Sequence, residues 1–296
     1  MRLVVNADDL GLTPGVNRGI IEAHQKGIVT SATLMANAPA FEEAASLARR
    51  NPGLGIGCHL VAIGGRPVLD ASAARLLVGA NGQFPPSLQE FLRLHPGCLS
   101  SAWRGQQQLA QEFAAQVDKV RRAGLPVSHL DTHKHIHALP GVREAVFQVA
   151  RQKGVAFVRF PFESGVGVWS LLPASKRVPS GPWRRRMAVS AARLLWANEF
   201  RRRLAASGLR SADATFGIVH TGCLSLQVIE GFLSQQHKVI EICCHPGYHD
   251  SRLVPSGETL GQRREKEVAI LTHPEWRARL AARGVRLTNY VELAKA

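Results

Sequence analysis

Two adjacent carboxylates, Asp8 and Asp9, close the apolar segment of "VVNADDLG" (residues 4–11). Adjacent like charges repel, and each is costly to desolvate, so the pair needs a use or an open surface. Histidines stand at comparable places along the chain. His59 ends "LGIGCHL", His245 ends "KVIEICCH", and Asp131, His133, His135 and His137 follow one another in "SHLDTHKHIH". One histidine at the end of a strand is an ordinary structural feature. Several at the same end of successive strands carry a chemical reading. A carboxylate and two imidazoles from separate segments, with positions left open, suit zinc or a similar divalent ion. A second acid beside such a ligand can take the proton of a water that the ion activates. The adjacent acids then divide the work, one on the ion and one free as a base.

The elements that must position these groups alternate. Strand-like runs cover 2–7, 31–37, 54–60, 127–132, 156–162, 215–221 and 238–245, and a last one opens "GVRLTNYVELAKA". Helical patterns cover 15–27, 40–50, 105–124, 141–153, 225–236 and about 257–272, and a short helix ends the chain. Repeated βα units predict a parallel sheet with both faces covered. About eight of them close most naturally into a distorted or incomplete (β/α) barrel of the TIM-like type, an α/β fold. Reactive residues of such a fold sit at the carboxyl ends of the strands, where the acids and histidines fall. The expected organisation is one barrel domain over residues 1–296, with loop insertions at about 61–103 and 163–213.

The chain has 296 residues, 45% hydrophobic, enough for a substantial core. No apolar run reaches the length of a membrane span, and "MRLVVNADD" enters a strand with no signal-peptide pattern, so a cytoplasmic location is expected. The cysteines Cys58, Cys98, Cys223, Cys243 and Cys244 form no CxxC pair, which argues against a disulfide framework. The formal net charge is +15, and residues 175–204 carry nine Lys/Arg against the single acid Glu199. On a helical period Trp183, Met187, Leu194 and Leu195 fall broadly to one side of that stretch. Arg184, Arg185, Arg202 and Arg203 fall elsewhere, a pattern that suits an anionic bilayer surface. The same stretch, with Trp183, Trp196 and Phe200, would allow stacking on nucleic acid, but no recognised nucleic-acid motif accompanies it, and no nucleic-acid partner is expected.

"NADDLG", "GIGCHL", "SHLDTHKHIH" and "CHPGY", in that order, resemble the motifs of the YdjC/ChbG family of carbohydrate deacetylases. The resemblance covers most of the chain and is weakest in 61–103 and 163–213. It implies a distorted barrel that removes an N-acetyl group from an amino sugar with one divalent metal ion, zinc favoured and magnesium or another divalent ion the alternative. It implies Asp9, His59 and His133 as the metal ligands, Asp8 as general base and His245 as general acid. Asp131 orients a histidine or acts directly. His135 and His137 line the site or stand apart from it. Arg159, in "FVRFPFE", steadies an oxyanion, steadies an aspartate or is a surface charge at a strand end. Lys134 stands where the soluble chito-oligosaccharide enzymes have a histidine, so no role for that position carries over. "RRRLAASGLRSADATFGIVHTG" resembles the branch of the family associated with hopanoid biosynthesis. That implies a lipid-linked amino-sugar substrate, an acetylglucosaminyl hopanoid, with soluble chito-oligosaccharides the alternative. It also implies peripheral contact at the inner face of the cytoplasmic membrane through 175–204.

Overall fold

The computed structural model describes residues 1–70, 72–163, 195–250 and 260–295. Its elements run, in chain order, β1 (Arg2–Leu10), α1 (Pro14–Gln25), β2 (Ser31–Leu34), α2 (Phe41–Arg49), β3 (Gly55–Leu60), α3 (Leu88–Leu94), α4 (Gln106–Arg122) and β4 (His129–Thr132). A 3-10 segment (His133–Ala138) leads to α5 (Pro140–Gln152) and β5 (Phe157–Val158). Then come α6 (Ala197–Ala206), β6 (Ala214–Phe216), α7 (Leu226–Leu233), β7 (Val239–Cys244), α8 (Arg263–Leu271), α9 (Trp276–Ala282), β8 (Arg286–Leu287) and α10 (Tyr290–Lys295). The strands are parallel, in the order β5-β4-β3-β2-β1-β7-β6. β8 pairs with Arg2 and Leu3 on the edge of β1 that β2 takes over from Asn6 onward.

The sheet curls into a half-barrel with flanking helices, the distorted (β/α) barrel that the βα alternation predicts. β5 and β6 lie at its two open edges, and a bridge between Phe157 and Arg210 stands between them. Both edge strands are shorter than the sequence suggests. The run expected over 215–221 ends at Phe216 because Gly217 turns there with φ +92°. A Cβ on Gly217 would lie 2.1 Å from the carbonyl oxygen of Cys243. The run expected over 156–162 keeps two residues in the ladder and then delivers Arg159 into the barrel.

Apolar and polar residues divide between the two faces of the sheet. Leu3, Val5, Ala7, Ile240 and Ile242 join the large core beneath the helices, with Val16 and Ile20 of α1 and Phe113 and Val117 of α4. On the inner face of β1, Val4 packs with Phe157, Tyr290 and Leu293, so α10 plugs the amino end of the half-barrel. Above that plug the interior is polar. His129 stacks on Tyr290 at 4.2 Å between ring centroids, its Nε2 lies 3.0 Å from Oδ1 of Asn6, and the Asn6 amide donates to Asp8 at 2.9 Å. Among the described residues no helix is long and apolar enough to cross a membrane.

The stretch 61–103 is tied to α4 at its start. Gln116 of α4 holds Val61 through both of its backbone groups, and Glu112 accepts the backbone N–H groups of Val68 and Leu69. α1 packs closely on the segment after β7. A Cβ on Gly19 would lie 2.4 Å from Cα of Gly247. Gly19→Ala should therefore lose about 1–3 kcal/mol of stability, as overpacking against backbone does. Urea denaturation measures it, and an unchanged midpoint would contradict the packing.

Candidate functional site

β1 opens the site with a break in its own regularity. Its register on β2 shifts between Ala7 and Leu10, and Asp9 takes φ +68°, an uncommon left-handed conformation for a residue other than glycine. In an even strand adjacent side chains point to opposite faces. A register shift re-aims one of them, and so both acids serve the same cavity. Asp8 is 1% exposed and Asp9 3%.

Each acid has its own arginine. Arg159, fully buried, grips Asp8 with two bonds of 2.7 Å, reaches Asp131 at 2.7 Å and donates its Nε–H to Glu241 at 2.8 Å. Burial alone would raise the Asp8 carboxyl, but Arg159, with His59 and His245, holds the group well below the usual carboxylate range. Glu241 goes the other way: burial raises it in spite of Arg159 and of the Tyr290 hydroxyl, which donates at 2.7 Å. Arg264 of α8 donates to Oδ2 of Asp9 at 2.5 Å. Against the upward push of burial, it holds Asp9 low with help from His133 and His59.

Oδ1 of Asp9 faces two imidazoles. His133 Nδ1 lies at 3.1 Å and His59 Nε2 at 3.4 Å. Donor atoms of these three residues all lie within 4.8 Å of one another. His59 donates its Nδ1–H to Asp131 at 2.7 Å, which leaves Nε2 turned toward Asp9. This is the carboxylate–histidine arrangement that orients metal-ligating imidazoles. Burial would lower the His59 imidazole, yet the surrounding carboxylates, Asp131 first, push it up to about 10. Surroundings that hold a proton so firmly also favour a cation. Burial keeps His133 below its ordinary value and therefore a neutral donor. The donor set fits a divalent ion of the zinc or magnesium class.

The structure brings Asp8 and His245 together beside this cluster. His245 Nε2 stands 3.9 Å from Oδ2 of Asp8, and Cys243 donates its S–H to the same oxygen at 3.3 Å. Asp131 is the residue behind His59. Arg159 is fully buried against Asp8 and Asp131 and is not a surface charge. His137 turns away: its Nδ1 meets the Thr132 hydroxyl at 2.6 Å and its Nε2 the Arg159 carbonyl at 3.1 Å. His135 is buried in the 3-10 segment with φ +52° and stands outside the three-donor groups. The reason is local. The strand stops at Thr132, and the alternation that would have put His133, His135 and His137 on one face stops with it.

Sequence reasoning missed Glu241, Arg264, Glu267 and Thr33, the last of which donates its hydroxyl to Asp131 at 3.1 Å. Glu241 did carry a signal, as an acid inside the apolar run "VIEICC". Arg264 and Glu267 carried none, being hidden in the charged stretch "QRREKEV".

A family model described as YdjC-like protein matches residues 2–282. A carbohydrate deacetylase of Geobacillus stearothermophilus is 35% identical over 99% of this chain and 98% of its own length. A human carbohydrate deacetylase is 34% identical over 97% of this chain and 89% of its own. A crystal structure from Enterococcus faecalis, described as a candidate cellobiose-phosphate cleavage protein, matches with a TM-score of 0.74 at 26% identity, covering 99% of this chain and 98% of that one.

The arginine hub makes a stability prediction. Arg159→Met keeps most of the volume but leaves Asp8, Asp131 and Glu241 buried without their cation, which should cost about 3–5 kcal/mol at neutral pH. Without the guanidinium, burial raises the folded-state pKa values of Asp8 and Glu241 above the unfolded ones. Such groups add stability below the unfolded pKa and lose it as pH rises through the folded value. The deficit should therefore shrink as pH falls toward about 4. Urea titrations across pH test this, and a deficit independent of pH would contradict it.

Proposed function

The chain belongs to the YdjC-like family, and on that premise we propose that it is a carbohydrate deacetylase, a hydrolase that removes the N-acetyl group of an amino sugar and releases acetate. The observation that supports this most is the gathering of Asp9, His59 and His133 within ligand distance of one another, with Asp8 and His245 alongside. Asp9, His59 and His133 would hold one divalent ion, zinc favoured and magnesium the alternative. Such an ion supplies Lewis acidity toward the amide carbonyl and acidifies the attacking water, so that a carboxylate of low basicity can remove its proton. Asp8, kept ionised by Arg159, takes that proton. His245 gives a proton to the amide nitrogen as the C–N bond breaks, so the sugar leaves as a free amine. Asp131 fixes the His59 ring through Nδ1 and so presents its Nε2.

The finer reading is that the sugar is carried on a hopanoid. Its support is the resemblance of residues 201–222 to that branch of the family, together with the basic composition of 175–204. Trp183, Met187, Leu194 and the arginines at 184–186 lie outside the described residues. In the described part, Leu195 is 80% exposed, and Arg202 and Arg203 are exposed beside Glu199. We assign this stretch to contact with an anionic membrane surface.

Incubation of purified protein with N-acetylated amino sugars tests the activity: acetate should appear, and the sugar should lose the mass of one acetyl group. His59→Ala should lose its bound metal by elemental analysis while remaining folded. Asp8→Asn should retain the metal and lose on the order of 10²–10⁴ in rate. Near-wild-type turnover in Asp8→Asn would remove its assignment as base.

Replacing Arg184, Arg185 and Arg186 with Ser should weaken binding to anionic vesicles and turnover of a hopanoid-linked sugar, and leave a soluble acetylated amino sugar almost unaffected. The vesicle binding of the unaltered protein should fall with salt. Equal losses on both substrates, or no vesicle binding at low salt, would count against the membrane reading.

A further inference from the structure

α8 reaches into the site with two side chains that the chemistry above does not use. Arg264 and Glu267 are each 1% exposed and stand three residues apart, on one face of the helix. Between them they hold His245 by its backbone from both sides. Arg264 Nη1 donates to the His245 carbonyl at 3.3 Å, and Glu267 accepts the His245 N–H at 2.6 Å. The other oxygen of Glu267 accepts the Gly222 N–H at 2.8 Å, which ties in the loop after β6. The stem of Arg264 runs past Gly247, where a Cβ would come within 3.2 Å of its Cδ. Asp9 of β1 and His245 after β7 thus share one guanidinium.

That guanidinium settles what Asp9 can offer. Oδ2 is bound by Arg264 Nη2, and only Oδ1 faces His59 and His133. Bonds at both oxygens and burial hold the carboxylate in that orientation. We infer that Arg264 is a positioning residue that restricts Asp9 to one ligand oxygen and thereby makes the centre selective for small divalent ions over calcium. Zinc is content with four donors and magnesium with six, whereas calcium takes about 6–8 oxygens, often with a carboxylate binding through both. The arginine removes one of those oxygens and offsets the negative charge on which a calcium site depends. This inference rests on the metal reading under Proposed function.

The test uses the metals alone on the purified protein stripped of metal. Manganese uptake is followed by electron paramagnetic resonance, and calcium is titrated in to displace it. The ratio of the two affinities cancels any general loosening of the site. In Arg264→Met the calcium-to-manganese affinity ratio should rise roughly tenfold or more, the scale on which groups behind metal ligands act. Arg264→Lys, which keeps a charge and a donor, should stay near the wild-type ratio. Glu267→Gln, on the same helix but without contact to Asp9, should leave the ratio unmoved. Arg264→Ala repeats the test if Arg264→Met does not fold. An unmoved ratio in the folded neutral variant overturns the inference. So does an equal rise in Glu267→Gln, which would mean that any disturbance of α8 suffices. Wild-type protein that binds neither ion overturns the metal reading itself and this inference with it.

Discussion

One buried guanidinium makes the interior of this half-barrel tenable. Asp8, Asp131 and Glu241 are withdrawn from water almost completely, and each would be expensive there as an anion. Arg159 contacts all three, with two bonds to Asp8, and its planar fork suits that task better than a point charge would. A buried ion pair is weak evidence of stability in itself. Here the arrangement has another consequence: it fixes the position and the charge of the acid next to the Asp9, His59 and His133 cluster. Asp8 is held below the usual carboxylate range, and Glu241, which also accepts the Tyr290 hydroxyl, is pushed above it. The same cation thus serves its partners unequally, and Asp8, gripped twice, is held low while burial raises Glu241.

The second constraint is geometrical. Adjacent residues of a regular strand cannot serve one cavity, because they face opposite ways. The register shift in β1 and the left-handed Asp9 break that rule at a single place, at a backbone cost that surrounding contacts must offset. Those contacts are visible. Leu12 donates its N–H to the Asp9 carbonyl, Asn17 accepts the Gly11 N–H, and Thr13 caps α1 by accepting from Val16. The strand, its bulge and the helix start are locked together within a few residues, and α8 closes over them through Arg264.

Polar groups continue downward from the site in a connected column. Asn6 links Asp8 to His129, His129 stacks on Tyr290, and Tyr290 returns through Glu241 to Arg159. A fully bonded network of this kind is rigid where a partly bonded one would be a liability. The last helix of the chain therefore bears on the position of acids in the first strand. The apolar residues that drive folding lie on the other face of the sheet, beneath the helices, so that the site is built on a scaffold whose stability comes from elsewhere.

The sequence by itself determined the alternation of strands and helices, hence the parallel sheet, and it determined which end of the sheet carries the acids and histidines. Strand periodicity and helix punctuation are local properties, and a residue that ends a strand is placed by them alone. That is why Asp8, Asp9, His59, His133 and His245 were legible as one group. Which acid meets which cation was decided only by the tertiary structure. The separation of Asp8 from Asp9 depends on a bulge whose cause lies in neighbouring strands and in α1, and Arg264 stands 255 residues from its partner in a stretch of unremarkable charges. The fate of the histidine run was also decided there. An alternating pattern reads as one face of a strand, but the chain leaves the sheet at Thr132, so His133 stays in the site while His137 turns to Thr132 and the Arg159 carbonyl. Spacing along a chain states what could converge; the curling of the sheet around Arg159 states what does, because a buried charge accepts only the partners that reach it.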